Sequence, residues 1–211
     1  QAEKNGATVK HQKVSLSKEG EDIRVVDGEE VLSFDAVILS SGAWVKELLE
    51  GLNYYVDVRP QKGQLIELEL ETSEDTSKWP VCMLHGEIDI LPFPGGKILV
   101  GATHENTQGF DLTPDEALLD GMYAEACASL PALKDAKRSG VRVGTRAYTS
   151  DFLPFFGKIP ETSNAFVASG LGSSGLTSGV WIGELLARLS AKESVDFAVE
   201  NYLPKNYIRK T

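Results

Sequence analysis

Toward the C-terminal end, an apolar run AFVAS (165–169) meets three glycines, Gly170, Gly172 and Gly175, and then the stretch LTSGVWIGELLARL. In that stretch Ile182, Leu185, Leu186 and Leu189 recur at i, i+3, i+4 and i+7, so a strand, a glycine turn and an amphipathic helix follow one another. By spacing alone Gly-x-Gly-x-x-Gly spells a dinucleotide-binding turn. That motif also requires a complete strand-helix-strand unit, with an acidic residue about 20 positions on. Asp196 falls near that distance, but VDFAVENYL around it leads into Pro204 and a polar end rather than a buried parallel strand. The turn therefore needs another explanation. A helix start offers unpaired backbone N–H groups and a positive dipole end, and glycine lets a ligand approach that backbone closely.

Upstream, KVSLSKEGEDIRVVDGEEVLSFDAVILSSG reads as short strands broken at Glu19-Gly20 and Asp27-Gly28, feeding a denser apolar strand that ends at Gly42. In QLIELELE, Ile66, Leu68 and Leu70 alternate with Glu67, Glu69 and Glu71, the pattern of a half-buried antiparallel strand. EIDILPFPGGKILVGAT predicts a hairpin about Gly95-Gly96. TPDEALLDGMYAEACASL predicts a helix capped by Thr113, with Pro114 in its first turn, Glu116 completing a capping box, and Leu119, Met122, Tyr123 and Ala126 on one face. Glycine-ended apolar strands thus lie at both ends, with antiparallel segments between. The expected architecture is α/β (α+β): residues 1–57 and 148–211 form one α/β layer and residues 58–147 a separate antiparallel sheet.

A net charge of -10 and a pI near 4.8 exclude nucleic acid and anionic membrane surfaces as partners, because phosphate binding needs concentrated Lys and Arg. No apolar run reaches the length of a membrane span. Cys82 and Cys127 lack metal-ligand spacing and read as two thiols in a reducing cytoplasm, so neither a metal nor a disulfide framework is expected.

These segments resemble, in order and over nearly the whole chain, the FAD-dependent amino acid and amine oxidoreductases of the D-amino acid oxidase type, among them glycine oxidase, sarcosine oxidase and D-amino acid dehydrogenase. DAVILSSGAW is similar to the family strand that passes the adenosine half of the flavin, and VRPQKGQLIEL to its entry into the substrate domain. LPFPGGKILVGAT resembles a substrate-sheet hairpin. GVRVGTRAYTSDFLPFFG carries the family's pattern as Gly144-x-Arg146-x-x-Thr149-x-Asp151-x-x-Pro154-x-x-Gly157, and ASGLGSSGLTSG resembles the glycine turn against the isoalloxazine ring.

The resemblance implies a partial Rossmann-like FAD-binding layer, an antiparallel-sheet substrate domain, and a small amino acid or amine substrate oxidised by hydride transfer to non-covalent FAD. Cofactor contacts would come from Val14, Ser41, Gly42, Ala43 and Trp44, and from Gly170, Leu171, Gly172, Ser173, Ser174, Gly175, Leu176 and Thr177. Arg146 would clamp the substrate carboxylate, since a guanidinium fork fits it bidentately. Asp89 stands where related enzymes often present a Tyr; it either meets the substrate ammonium, excludes a second acid group, or is a solvated hairpin charge. His85 and His104 flank the same sheet as pocket or structural residues. Ser173 or Ser174 replaces the basic residue of glycine oxidase in the turn.

The family's N-terminal pyrophosphate-binding turn has no counterpart in this sequence. The chain is therefore expected to be the C-terminal part of a longer enzyme, not to retain FAD by itself, and to self-associate through exposed apolar surface. The alternative is a non-enzymatic fragment or subunit that needs a separate nucleotide-binding partner.

Overall fold

The computed structural model describes residues 1–86 and 88–211; Glu87, the first residue of the hairpin segment EIDILPFPGG, lies outside the described residues. The chain divides into two compact units, one made of Gln1–Arg59 with Ala147–Thr211 and the other of Pro60–Arg146.

Strands β1 (Ser15–Glu19), β2 (Asp22–Asp27) and β3 (Glu30–Leu32) form an antiparallel meander whose turns fall at Gly20 and Gly28. Strand β4 (Val37–Leu39) follows, then a 3-10 turn at Gly42–Trp44, helix α1 (Val45–Glu50) and strand β5 (Tyr54–Val56).

The alternation read in QLIELELE is realised in β6 (Arg59–Glu69), where Ile66 and Leu68 are fully buried while Glu67 is half-buried and Glu69 exposed. After β7 (Cys82–Met83), β8 (Asp89–Pro92) and β9 (Lys97–Gly101) form the hairpin through Gly95-Gly96. With β10 (Lys137–Tyr148) they make a five-stranded sheet of order β10-β6-β9-β8-β7. Helix α2 (Glu116–Ser129) covers one face, packing Leu119, Met122 and Ala126 against Ile66, Leu68, Ile90, Ile98 and Val100.

The start of α2 differs from the sequence reading. Asp115, not Thr113, is the N-cap, and its carboxylate accepts the N–H groups of Ala117 and Leu118. The reason is tertiary. Gln64 Oε1 accepts the Asp115 N–H at 2.8 Å and Lys62 Nζ donates to the Thr113 carbonyl, so the approach to the helix is tied to β6 before the helix begins.

In the remaining segment β11 (Phe155–Lys158) and β12 (Ala165–Ser169) pair antiparallel, and β12 lies parallel beside β4 with Val37 opposite Ala165 and Leu39 opposite Val167. Helix α3 (Gly175–Ser190) lays Ile182, Leu185 and Leu186 on Phe156 and Phe166, each aliphatic side chain contributing about 1.5–3 kcal/mol by burial. The sheet's other face joins Ile23, Leu49, Tyr54 and Ile159 in a second core. One element was not anticipated: the polar end of the sequence forms β13 (Ile208–Lys210), antiparallel to β5, with Tyr207 stacked on Phe155. Three residues carry no readable periodicity, so only the partner strand defines them.

Candidate functional site

Strands β4 and β12 are parallel neighbours, so the turns after them, at Gly42 and Gly170, emerge from the same edge of the sheet. Ser169 Oγ donates to the Gly42 carbonyl at 2.8 Å and ties the two turns together. Open α/β sheets bind ligands outside the carboxyl ends of their parallel strands. Here that edge carries Ser41, whose hydroxyl is buried without a hydrogen-bond partner, and Trp44, half of whose surface faces out.

Beside it begins α3, with Ser174 at the N-cap but no side-chain cap. The Ser174 hydroxyl donates to the Leu171 carbonyl at 2.7 Å, and those of Thr177 and Ser178 to the Ser174 carbonyl. The first-turn N–H groups are thereby left without a hydroxyl acceptor, and Leu176 is 98% exposed next to them. An orphaned hydroxyl and an uncapped N-terminus fit an acceptor-rich planar cofactor. Ser41, Gly42, Ala43, Trp44 and the turn Gly170–Thr177 would hold it. Val14 stands just ahead of β1, whose sheet is β1-β2-β3, and would add its contact from there.

The turn glycines answer to the protein as well as to any ligand. Gly170 and Gly172 have φ of 75° and 54°, where L side chains are strained. A Cβ on Gly172 would sit 2.3 Å from the Tyr148 ring, and one on Gly170 would sit 2.9 Å from Thr149 Cγ2. Tyr148 also accepts the Ser173 N–H at 3.3 Å. Gly175 alone of the three is unconstrained by near neighbours, the nearest being Leu171 at 3.7 Å.

In the other unit, Arg146 lies flat against Gly63, where a Cβ would be 2.4 Å from Nη1. Nη1 donates to the Thr103 carbonyl at 3.0 Å and to Gln61 Oε1 at 3.5 Å. Among the described residues no carboxylate pairs with it. It lines a groove of ≈ 270 Å³ together with Arg142, Gly144, Leu65 and Ala102.

Asp89 is in register with Gly101, which is in register with Leu65, while the adjacent Ile90, Val100 and Ile66 point into the core. Asp89 therefore stands on the same sheet face as Leu65 and Gly63. His85 and His104 line a different cavity of ≈ 560 Å³ against α2, together with Glu105 and Glu125, so neither histidine joins Arg146 in its groove.

Arg142 is the groove residue that the sequence reading passed over. The signal was present: Arg142, Gly144 and Arg146 alternate along VRVGTRAY and must share a face. Its Nε donates to Glu67 Oε1, and that hydrogen bond, with Lys97 adding to it, holds the Glu67 carboxyl below the usual carboxylate range against the opposing effect of desolvation.

Cys82 and Cys127 are free thiols. Among the described residues there is no group of three or more His, Cys, Asp or Glu that could hold a metal, and no helix long and apolar enough to cross a membrane.

Comparison with known proteins places these features in a family. The model of the FAD dependent oxidoreductase (DAO) family matches residues 1–189. The chain is 38% identical to YurR, an uncharacterized oxidoreductase of Bacillus subtilis, over 96% of this chain and 55% of that protein. It is 33% identical to glycine oxidase of Pseudomonas putida over 73% of this chain and 40% of that enzyme. The crystal structure of iminodiacetate oxidase from Chelativorans sp. BNC1 superposes with a TM-score of 0.92 at 32% identity, covering 96% of this chain and 55% of that one. The chain thus spans about half the length of these relatives, and with the family model matching most of it, it belongs to the FAD dependent oxidoreductase family.

Proposed function

We propose that the protein carrying this chain oxidises the C–N bond of a small amino acid or secondary amine, with Arg146 anchoring the substrate carboxylate. The observation that carries the reading is the unpaired guanidinium of Arg146, fixed over Gly63 by the Thr103 carbonyl and facing a small groove. A guanidinium so held meets a carboxylate without reorganising, which is where positioning contributes to rate. Asp89, on the same face, suits the substrate nitrogen. Glycine oxidase and iminodiacetate oxidase among the relatives support a substrate that carries both groups.

FAD, when bound, would accept hydride from the carbon bearing the amine; the amine nitrogen gives up a proton, and water then splits the resulting imine into a carbonyl compound and a free amine. The chain's own part is to orient the substrate and to offer the α3 N-terminus to the cofactor edge that gains negative charge. Residues 1–57 with 148–211 would serve the cofactor, and residues 58–147 the substrate. The pyrophosphate contacts would come from polypeptide beyond this sequence, so the isolated chain is proposed to be inactive and colourless. The free thiols suit the reducing cytoplasm. Leu176 and Val180, 98% and 83% exposed, offer a surface for self-association.

The test is a panel of small amino acids and N-substituted glycines on the full-length flavoprotein, read as flavin bleaching without oxygen. One or more should bleach the flavin, and Arg146→Ala should lower kcat/KM by the equivalent of about 2–4 kcal/mol. Undiminished kcat/KM across the panel would remove Arg146 from the site.

A further inference from the structure

The groove that Arg146 lines holds a second guanidinium. Arg142 and Arg146 lie on one face of β10, about 13 Å apart along the strand at roughly 3.3 Å per residue. Between them Gly144 leaves open space: a Cβ there would meet nothing within 4 Å. Among the described residues no acidic side chain lines the groove, although the chain as a whole has a net charge of -10. Among the described residues the carboxylate touching Arg142 is that of Glu67, which Lys97 also reaches at 3.7 Å. Arg142 and Lys97 thus share one carboxylate while Arg146 has none among the described residues, so the local charge is opposite to that of the molecule.

Each arginine has one edge fixed by the protein and one left for a ligand. Arg142 spends its Nε on Glu67, which leaves its Nη groups. Arg146 spends Nη1 on Thr103 and Gln61, which leaves Nη2 and Nε. The floor between them is glycine and aliphatic, made by Gly63, Gly144 and Leu65. At ≈ 270 Å³ the space is below the range usual for drug-sized ligands and admits a molecule of few heavy atoms.

Resting on the amine-oxidation reading above, we infer that the substrate is a secondary amine bearing a carboxylate on each side of its nitrogen, one held by Arg146 and the other by Arg142. A mono-carboxylate leaves Arg142 unanswered and is the poorer ligand.

Two measurements separate this inference from the reading beneath it. On the 211-residue chain, iminodiacetate and sarcosine are titrated by amide NMR. Iminodiacetate is expected to shift the Gly144 and Leu65 amides and to bind at least tenfold more tightly than sarcosine. Arg142→Met and Gly144→Val, which remove the second guanidinium or fill the gap, should each erase that preference, and Arg142→Lys should retain part of it.

On the full-length flavoprotein, the ratio of kcat/KM for iminodiacetate over sarcosine should fall at least tenfold in Arg142→Met. Equal binding of the two amines, or an unchanged ratio in the variant, overturns the paired-arginine site while leaving amine oxidation standing. A preference on the chain without flavin bleaching by any amine would instead overturn amine oxidation, and with it the claim that the dicarboxylate is a substrate.

Discussion

The ring of Tyr148 stands where a side chain on Gly172 would go, 2.3 Å from the position of a Cβ. The turn that precedes α3 thus has an aromatic ring packed on it, and Gly172 there has a positive φ of 54°. Replacing Gly172 by Ala combines left-handed strain with overpacking and is expected to cost about 2–4 kcal/mol. Urea midpoints of the chain and of Gly172→Ala measure this. Adding Tyr148→Ala to Gly172→Ala should recover the packing part and leave the backbone part. A midpoint unchanged by Gly172→Ala would show that the turn has another conformation open to it.

Tyr207 donates to Asp151 Oδ2 at 2.9 Å, and burial followed by that carboxylate pushes the phenol up to about 12 from its usual 10. The folded protein holds this proton at pH values where the unfolded chain releases it. The stabilisation is complete below pH 10 and is lost as pH rises through about 12. Asp151 works in the other direction: burial alone would raise its pKa, but the Leu153 N–H and the hydroxyls of Tyr207 and Thr149 outweigh that and lower it. Its contribution is present above the ordinary value of 3.8 and is lost in acid. Tyr207→Phe should cost about 1.5–3 kcal/mol at neutral pH, the value of a hydrogen bond to a charged group, and flatten the alkaline limb of the stability curve. An alkaline limb identical to that of the parent chain would show that another group titrates there.

Asn164 joins the meander to the sheet. Its Oδ1 accepts the Ile23 N–H at 2.8 Å, and its Nδ2 donates to the carbonyls of Ile23 and Phe34 at 3.0 and 3.1 Å. Asn164→Ala leaves these backbone groups unanswered in a buried place and should cost about 2–4 kcal/mol. Hydrogen exchange at the Ile23 amide is the specific readout. Protection that survives the substitution would mean that the meander is held by its apolar side chains alone.

Lys62 and Glu105 form an ion pair at 3.6 Å with side chains only 4% and 10% exposed. Glu105→Ala strands a buried ammonium and should cost about 3–5 kcal/mol, with little dependence on salt because the pair is shielded from counterions. Denaturation at low and high ionic strength checks both statements. A loss below about 1 kcal/mol would show that Lys62 finds solvent when its partner is gone.

How much of this was legible beforehand depended on the range over which each feature is determined. Ile66 and Leu68 announce their burial by alternating with glutamates, and Gly95-Gly96 announces its hairpin, because both patterns are written within ten residues. The start of α2 was misplaced by two residues since Lys62 and Gln64, some fifty positions earlier, hold the chain there. Strand β13 needed β5 to define it. At the candidate site, Arg146 was readable as a residue type in a motif. Its seat over Gly63 and its contact with Thr103 join positions far apart in sequence, and so does the Arg142–Glu67 pair. The glycines were read as serving a ligand, whereas Gly172 first makes room for Tyr148.

The pairing of β4 with β12, and of β5 with β13, joins strands far apart in sequence and has a consequence for biosynthesis. Val37 waits for Ala165 and Val56 for Ile208, so these two strands leave the ribosome long before their partners exist. Pro60–Arg146, with β6 to β9 and α2 contiguous, has its core residues in hand first. Translation thus delivers the inserted unit ahead of the one that encloses it in sequence, and Ile38, 41% exposed on β4 even in the finished fold, is presented unpaired throughout that interval. The meander, whose contacts are local, can form in that interval without either late partner.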